Sequence, residues 1–270
     1  MTTKETCVNR FDSLLEERGV TRRSFIGFCG AIAATLGLSQ AMAPQIAEAL
    51  EGSVIGKTEG KLLPVIWLEL ASCTGCTESF AQVDTPDVAT VVLELLSVTY
   101  SETLSAGAGH SLEEAKAQTI EAGGYIMLAE GALMEGWDGN ALRIADETGL
   151  DIVKHAASNA LAVISAGSCA VDGGWQAAAP NPGGAIGIQA YLEKAKAAGE
   201  IDYDIPPIVN IPTCPSNPEH LVAVIVDALY FGLEHVVGGL NAFGMPSLMF
   251  SQAIHDNCPR RGHFENGEFV

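Results

Sequence analysis

The sequence predicts an α/β domain built on one doubly wound, mostly parallel β-sheet, and three observations predict it. Short apolar runs recur at residues 63–68, 125–129, 160–165 and 207–211; the run at 160–165 is almost wholly apolar, as expected of a strand covered on both faces. Helix-like segments separate these runs, which gives the strand–helix–strand order of a parallel sheet. The chain of 270 residues is 48% hydrophobic, with Gly 29 and Pro 12, which is enough for one well-buried core and a smaller appendage.

Residues 1–49 read as a leader kept out of the fold. Thr21-Arg22-Arg23-Ser24-Phe25-Ile26 forms a twin-arginine pattern, a mildly apolar Gly/Ala-rich run continues to Ala43, and Ala41-Met42-Ala43 and Ala47-Glu48-Ala49 are small-x-small sites. The run carries glycines and too little hydrophobicity for a permanent membrane span. The expectation is a signal for the Tat route to the periplasm, which would take Cys7 and Cys29 away with it.

Residues 50–250 are expected to form the main domain. The first strand, 63–68, runs into Glu69-Leu-Ala-Ser-Cys73-Thr-Gly-Cys76-Thr-Glu78. Residues 86–93 read as helical, and Val98 to Tyr100 as the end of a second strand. Ser111-Leu-Glu-Glu114 has the form of a capping box before an acidic, alanine-rich helix over 113–121, closed by Gly123-Gly124. A third strand follows at 125–129. Residues 140–157 read as one or two helices, 160–165 as the fourth strand, and 187–198 as a helix. The fifth strand, 207–211, enters Pro212-Thr-Cys214-Pro215. Asn217-Pro218-Glu219, with Asn as cap and Pro in the first turn, then opens a helix that stops at Gly232.

The net charge of −19 argues against nucleic acid as a partner, because phosphate would be repelled, and favours a basic protein surface. Seven cysteines are an odd number, scattered rather than crowded into a small domain, so a disulfide framework is the weaker reading.

Cys73, Cys76, Cys169 and Cys214 each follow a predicted strand end, with overall spacing C-x2-C-x92-C-x44-C. Open α/β sheets bind ligands outside the carboxyl ends of their strands, so these four thiols can converge. Four thiolates satisfy either a 4Fe-4S cubane or a tetrahedral zinc, but structural zinc sites are commonly two close C-x-x-C knuckles, whereas here two cysteines stand alone. A cluster is the preferred reading; zinc, a disulfide pair and buried thiols stay open. Gly75, Gly167, Gly173 and Gly174 would let backbone N–H groups approach the sulfides of a cluster.

In these motifs the sequence resembles the small subunit of NiFe hydrogenases. The resemblance runs from about Leu62 to Val270. It rests on W-L-E at Trp67 to Glu69, C-T-G-C-T-E at Cys73 to Glu78, E-G-A at Glu130 to Ala132 and G-S-C-A-x-x-G-G at Gly167 to Gly174. Q-A-A-x-P-N-P at Gln176 to Pro182, I-P-T-C-P-S-N-P-E-H at Ile211 to His220 and I-H-D-N-C-P-R-R-G-H-F at Ile254 to Phe264 complete it.

The resemblance implies a flavodoxin-like fold and a heterodimer in which a large subunit holds the nickel-iron centre while this subunit conducts electrons. It implies a proximal 4Fe-4S cluster on Cys73, Cys76, Cys169 and Cys214, and His255 and Cys258 as part of the ligand set of a distal 4Fe-4S cluster. The family's oxygen-tolerant members differ by extra cysteines at the positions of Gly75 and Gly174, so the standard, oxygen-sensitive type is expected. The remaining distal ligands and those of a medial 3Fe-4S cluster would lie past Val270, so residues 251–270 are expected to be the start of a truncated second domain. A naturally short subunit is the alternative.

Glu78 and Glu130 are candidates for carboxylates near the cluster, and Glu78 is equally suited to complement a helix dipole. Gly107-Ala-Gly109-His110 imitates a dinucleotide glycine loop, but Leu112 stands where a later glycine is required. His155, His220 and His235 read as structural, and Arg260-Arg261 as a solvated pair. An exported acidic subunit would suit a multihaem cytochrome c or a membrane quinone-linked cytochrome as acceptor. Two other functions are weighed: a flavodoxin-like flavin carrier, which lacks a phosphate-cradling loop where Ser72-Cys-Thr-Gly-Cys stands, and a zinc-stabilised interaction protein.

Overall fold

The apolar runs form five strands that pair in parallel. They are β1 (Leu63–Glu69), β2 (Leu96–Tyr100), β3 (Tyr125–Glu130), β4 (Ala160–Ala166) and β5 (Ile208–Ile211), in the spatial order β2-β1-β3-β4-β5. This computed structural model describes residues 62–83 and 87–269, together with 21, 23, 25–27, 29 and 30.

Period-2 alternation divides each strand between two apolar cores. Val65, Trp67, Ile126, Leu128, Ala162, Ile164 and Val209 face one side, which is covered by α1 (Gly75–Ala81) and α6 (Pro218–Phe231). Ile66, Leu68, Met127, Ala129 and Val163 face the other, under α2 (His110–Ala122), α3 (Gly149–Ala157) and α5 (Ile188–Ala198). Both faces are buried, which is why the strands read as apolar runs. Trp67 stacks at 5.0 Å on Phe80 of α1, which fixes that helix directly after the first cysteine turn.

β1 runs to β2 on one side and β3 to β5 lie on the other, so the order reverses between β1 and β3. In a 2-1-3-4-5 sheet this is the switch point, where the loops diverge and leave a crevice. The chain beyond β1 stays tied to the chain beyond β3 through Leu70 N–H to the Glu130 carbonyl (2.9 Å) and an Ala71–Ala132 bridge. Glu69, buried at the end of β1, accepts from the Ser101 hydroxyl (3.0 Å), the Thr103 N–H (3.1 Å) and the Thr103 hydroxyl.

Asn217 caps α6 as expected, accepting from the Glu219 N–H at 2.9 Å with Pro218 in the first turn. Two expectations need correction. The capping box at Ser111 does not form: Gly109 occupies the cap position, α2 begins at His110, and the Ser111 hydroxyl donates to the Ala108 carbonyl. Residues 140–148 are not helical; Arg143–Ile144 and Glu147–Thr148 pair as an antiparallel ribbon around Ala145 at φ 52, and Thr148 caps α3 by accepting from Asp151 N–H.

The expected helix over 86–93 forms from Val88, as an α-helical turn, Val88–Thr90, that continues as a π-helix over Val91–Leu95 before β2; Pro86 lies outside the described residues. Of residues 1–49 only 21, 23, 25–27, 29 and 30 are described. Cys29 is buried in the core on the α6 side, with Phe25 packed against it, because apolar side chains gain by covering that face. Arg22 and both small-x-small sites lie outside the described residues.

Candidate metal centre

Three strand ends deliver four thiols to one place. Cys73 stands in the turn after β1 and Cys76 in the first turn of α1; Cys169 sits in α4 (Ser168–Asp172) after β4, and Cys214 in the turn after β5. All four line a single cavity of about 70 Å³ with Ser72, Gly75, Glu130, Gly131, Ser168, Thr213 and Pro215. Cys73 and Cys214 are exposed, and Cys76 and Cys169 are half-buried.

The turns are laced together. Ser168 N–H donates to the Thr213 carbonyl (2.9 Å), Thr213 N–H to the Ser168 hydroxyl (3.2 Å), and the Gln176 amide to the Ala71 carbonyl (2.7 Å). Thr74 and Thr213, each beside a cysteine, have φ of 62° and 98°, a left-handed conformation that costs a β-branched residue energy and is held by its surroundings.

Two glycines set how closely the backbone approaches the sulfurs. A Cβ built on Gly167, at φ 85, would lie 2.4 Å from Cys76 Sγ, and one on Gly174, at φ 56, would lie 2.9 Å from Cys169 Sγ. No side chain fits there without moving a sulfur.

Electrostatics make the bare thiols uncomfortable neighbours. Burial pushes the Cys169 thiol up, and the nearby Cys214, Cys76 and Cys73 push it further because like charges repel. Burial also raises the Cys76 thiol; Ser216 pulls it back, its N–H donating to Cys76 Sγ at 3.4 Å, while Glu130 and Cys214 oppose that pull. Four thiolates crowded in this way need a cationic group between them.

The donor set fits an iron-sulfur cluster, which takes four thiolates. Four thiols around one cavity, with glycine backbone against two of them, suit such a group.

The two acidic candidates part company. Glu130 is 1% exposed and lines the cavity. Its Oε2 accepts from the Thr77 N–H (2.6 Å) and hydroxyl (2.9 Å), while its buried Oε1 has no partner among the described residues. Glu78 is exposed in the first turn of α1, outside the cavity lining, where it complements the helix dipole.

His255 and Cys258 share one exposed turn, Ile254–Asn257 and its cap, with Cys258 N–H donating to the His255 carbonyl at 3.3 Å. The His255 ring rests edge-on against Phe264 at 4.8 Å. Among the described residues no third ligand joins them. The remaining histidines have local roles: His235 pairs with Asp227 at 2.8 Å, and His220 lies edge-on to Phe250 at 5.4 Å, its pKa lowered by burial. His155 is exposed. Arg261 pairs with Glu265 at 2.7 Å.

Sequence reasoning missed Thr77 and Ser216. Their signal was the hydroxyl residue beside each cysteine turn, in C-T-G-C-T and T-C-P-S, but which backbone N–H meets which sulfur depends on the fold.

The family profile described as NADH ubiquinone oxidoreductase, 20 Kd subunit, matches residues 73–228, which include all four cysteines. The chain is 38% identical over 257 residues to the periplasmic NiFe hydrogenase small subunit 1 of Nitratidesulfovibrio vulgaris Hildenborough, covering 95% of this chain and 75% of that protein. It is 35% identical to the hydrogenase-2 small chain of Escherichia coli K12, covering 96% and 64%. It is 34% identical to the quinone-reactive Ni/Fe-hydrogenase small chain of Wolinella succinogenes, covering 95% and 68%. The chain thus spans about two thirds to three quarters of the length of these relatives. Among solved structures, the NiFeSe hydrogenase of Desulfovibrio vulgaris Hildenborough superposes with a TM-score of 0.70 at 30% identity, over 78% of each chain. That of Desulfomicrobium baculatum gives 0.70 at 28% identity over 78% of each chain.

Proposed function

Because this chain belongs to the family of NiFe hydrogenase small subunits, we propose that it conducts electrons between the nickel-iron centre of a separate large subunit and an external acceptor. The overall reaction is H2 plus oxidised acceptor giving two protons and reduced acceptor. The observation that carries the reading is the gathering of four thiols from three strand ends around one cavity at the switch point of the sheet.

Cys73, Cys76, Cys169 and Cys214 would hold a proximal 4Fe-4S cluster, which supplies one-electron redox chemistry when bound. The chain's own residues do the rest. Buried strand ends on the core side limit water, the Ser216 N–H meets one sulfur, and Glu130 places a carboxylate in the wall, where it disfavours added negative charge. His255 and Cys258 are assigned as two ligands of a distal 4Fe-4S cluster. Gly75 and Gly174 in place of further cysteines support the oxygen-sensitive type.

The acceptor is a multihaem cytochrome c or a membrane quinone-linked cytochrome, reached in the periplasm after Tat export. The net charge of −19 favours a basic partner. One relative named periplasmic and another named quinone-reactive support the compartment and the acceptor class. Among the described residues no helix is long and apolar enough to cross a membrane.

Anaerobic co-expression with the large subunit tests this reading. A brown heterodimer containing iron and labile sulfide, which reduces methyl viologen under H2 and contains no flavin, is expected. A colourless chain that purifies alone with zinc, or a yellow one with flavin, would contradict it.

A further inference from the structure

One residue bonded to the site has no role assigned by spacing or by family motif. Ser216 is 1% exposed, and its N–H donates to Cys76 Sγ at 3.4 Å. Its hydroxyl oxygen is buried without a hydrogen-bond partner among the described residues. Its carbonyl accepts from the Ser79 hydroxyl at 2.9 Å, and the preceding carbonyl, of Pro215, accepts from the Thr213 hydroxyl at 2.8 Å. Ser79 and Cys76 both belong to α1, so the helix that carries the sulfur also grips the residue that donates to it.

We propose that Ser216 is a positioning residue that raises the reduction potential of the centre held by Cys73, Cys76, Cys169 and Cys214, by placing its N–H on the sulfur of Cys76. The inference rests on the cluster assignment for those four cysteines. Reduction adds one electron, supplied by the hydrogenase reaction, and one negative charge to the cluster with its thiolates; no bond is made or broken and no proton moves. A donor on a ligating sulfur stabilises the more negative form more than the less negative one, which favours reduction.

The geometry of the turn gives the donor its precision. Proline at 216 would have no N–H to offer, and alanine would keep the N–H while losing the hydroxyl. The two changes therefore separate loss of the N–H from loss of the side chain.

The test is an EPR-monitored redox titration of the anaerobically purified heterodimer, comparing native Ser216 with Ser216→Ala and Ser216→Pro and measuring iron per chain in each. Ser216→Pro is expected to move the proximal midpoint to more negative potential by roughly tenfold in the reduction equilibrium, about 59 mV for one electron. Ser216→Ala, which keeps the N–H, is expected to leave it unchanged, and a shift there as large as in Ser216→Pro overturns the inference. Potentials unchanged or raised in Ser216→Pro, at native iron content, overturn the inference. If that variant does not load, Ser79→Ala, which frees the Ser216 carbonyl from α1, is expected to move the midpoint the same way by a smaller step, and an unchanged potential there overturns the inference. A native complex with no cluster signal overturns the cluster assignment itself, a result distinct from both.

Discussion

Cys73, Cys76, Cys169 and Cys214 lie far apart along the chain and meet around one cavity, whereas His255 and Cys258 lie three residues apart and gather nothing further among the described residues. The first set is brought together by a sheet whose strand order reverses beside it. The second shares one exposed turn, with Ile254 95% exposed next to it. Closeness in sequence therefore says little about whether a site is built. What builds it is the register of parallel strands, which brings the ends of β1, β3, β4 and β5 to one rim.

The sharpest way to break this contrast is to remove one ligand from each region. Cys169→Ser is expected to abolish the proximal cluster, with loss of its iron, its labile sulfide and its reduced-state EPR signal. Cys258→Ser is expected to leave that signal intact. If Cys258→Ser removes the proximal signal while Cys169→Ser preserves it, the assignment is wrong.

A second prediction probes the rim without touching a ligand. Gly167→Ala puts a side chain at φ 85 and ψ 159, a region almost confined to glycine, 2.4 Å from Cys76 Sγ. The backbone cost alone is about 1–3 kcal/mol, and Cys76 must shift, so a lowered Tm together with reduced iron content is expected. Gly262, in the C-terminal segment, has nothing within 4 Å of a built Cβ. Gly262→Ala should leave iron content unchanged, as iron analysis of the two variants will show.

The sheet was legible because strands buried on both faces have no polar alternation to hide them. Asn217 and Pro218 also marked the start of α6 correctly. Two local patterns misled for physical reasons. S-x-x-E at Ser111 satisfies the spacing of a capping box, but Gly109 reaches the cap conformation two residues earlier. Ala141 and Leu142 suggest helix, yet Trp137, Asp138 and Ala145 adopt positive φ and turn the chain into a ribbon.

At the site, the four cysteines were visible through their strand-end positions. The separation of Glu130 from Glu78 was not. It depends on which acid terminates β3 inside the sheet and which begins a helix on its surface.

The caps give a smaller test of the same lesson. Asn217→Ala should cost about 1 kcal/mol, while Ser111→Ala, which removes no cap, should stay within about 0.5 kcal/mol; denaturant melts distinguish them. Equal effects would contradict the assigned start of α2.

The smallest expected effect concerns pH. Burial lowers the His220 pKa in the folded chain, so its neutral form is favoured there. The unfolded chain binds the proton more readily, so stability is lost as pH falls below the ordinary histidine value of about 6.5 and on toward the lowered one. His220→Phe should flatten that part of the stability profile between the α6 start and Phe250; a profile identical to the native one would contradict it.

Iron anomalous diffraction from crystals of the anaerobically purified heterodimer tests the central claim most directly. The account predicts a four-iron density peak within bonding distance of the sulfurs of Cys73, Cys76, Cys169 and Cys214. Iron bound elsewhere with those four thiols unligated, or a single zinc among them, would contradict it.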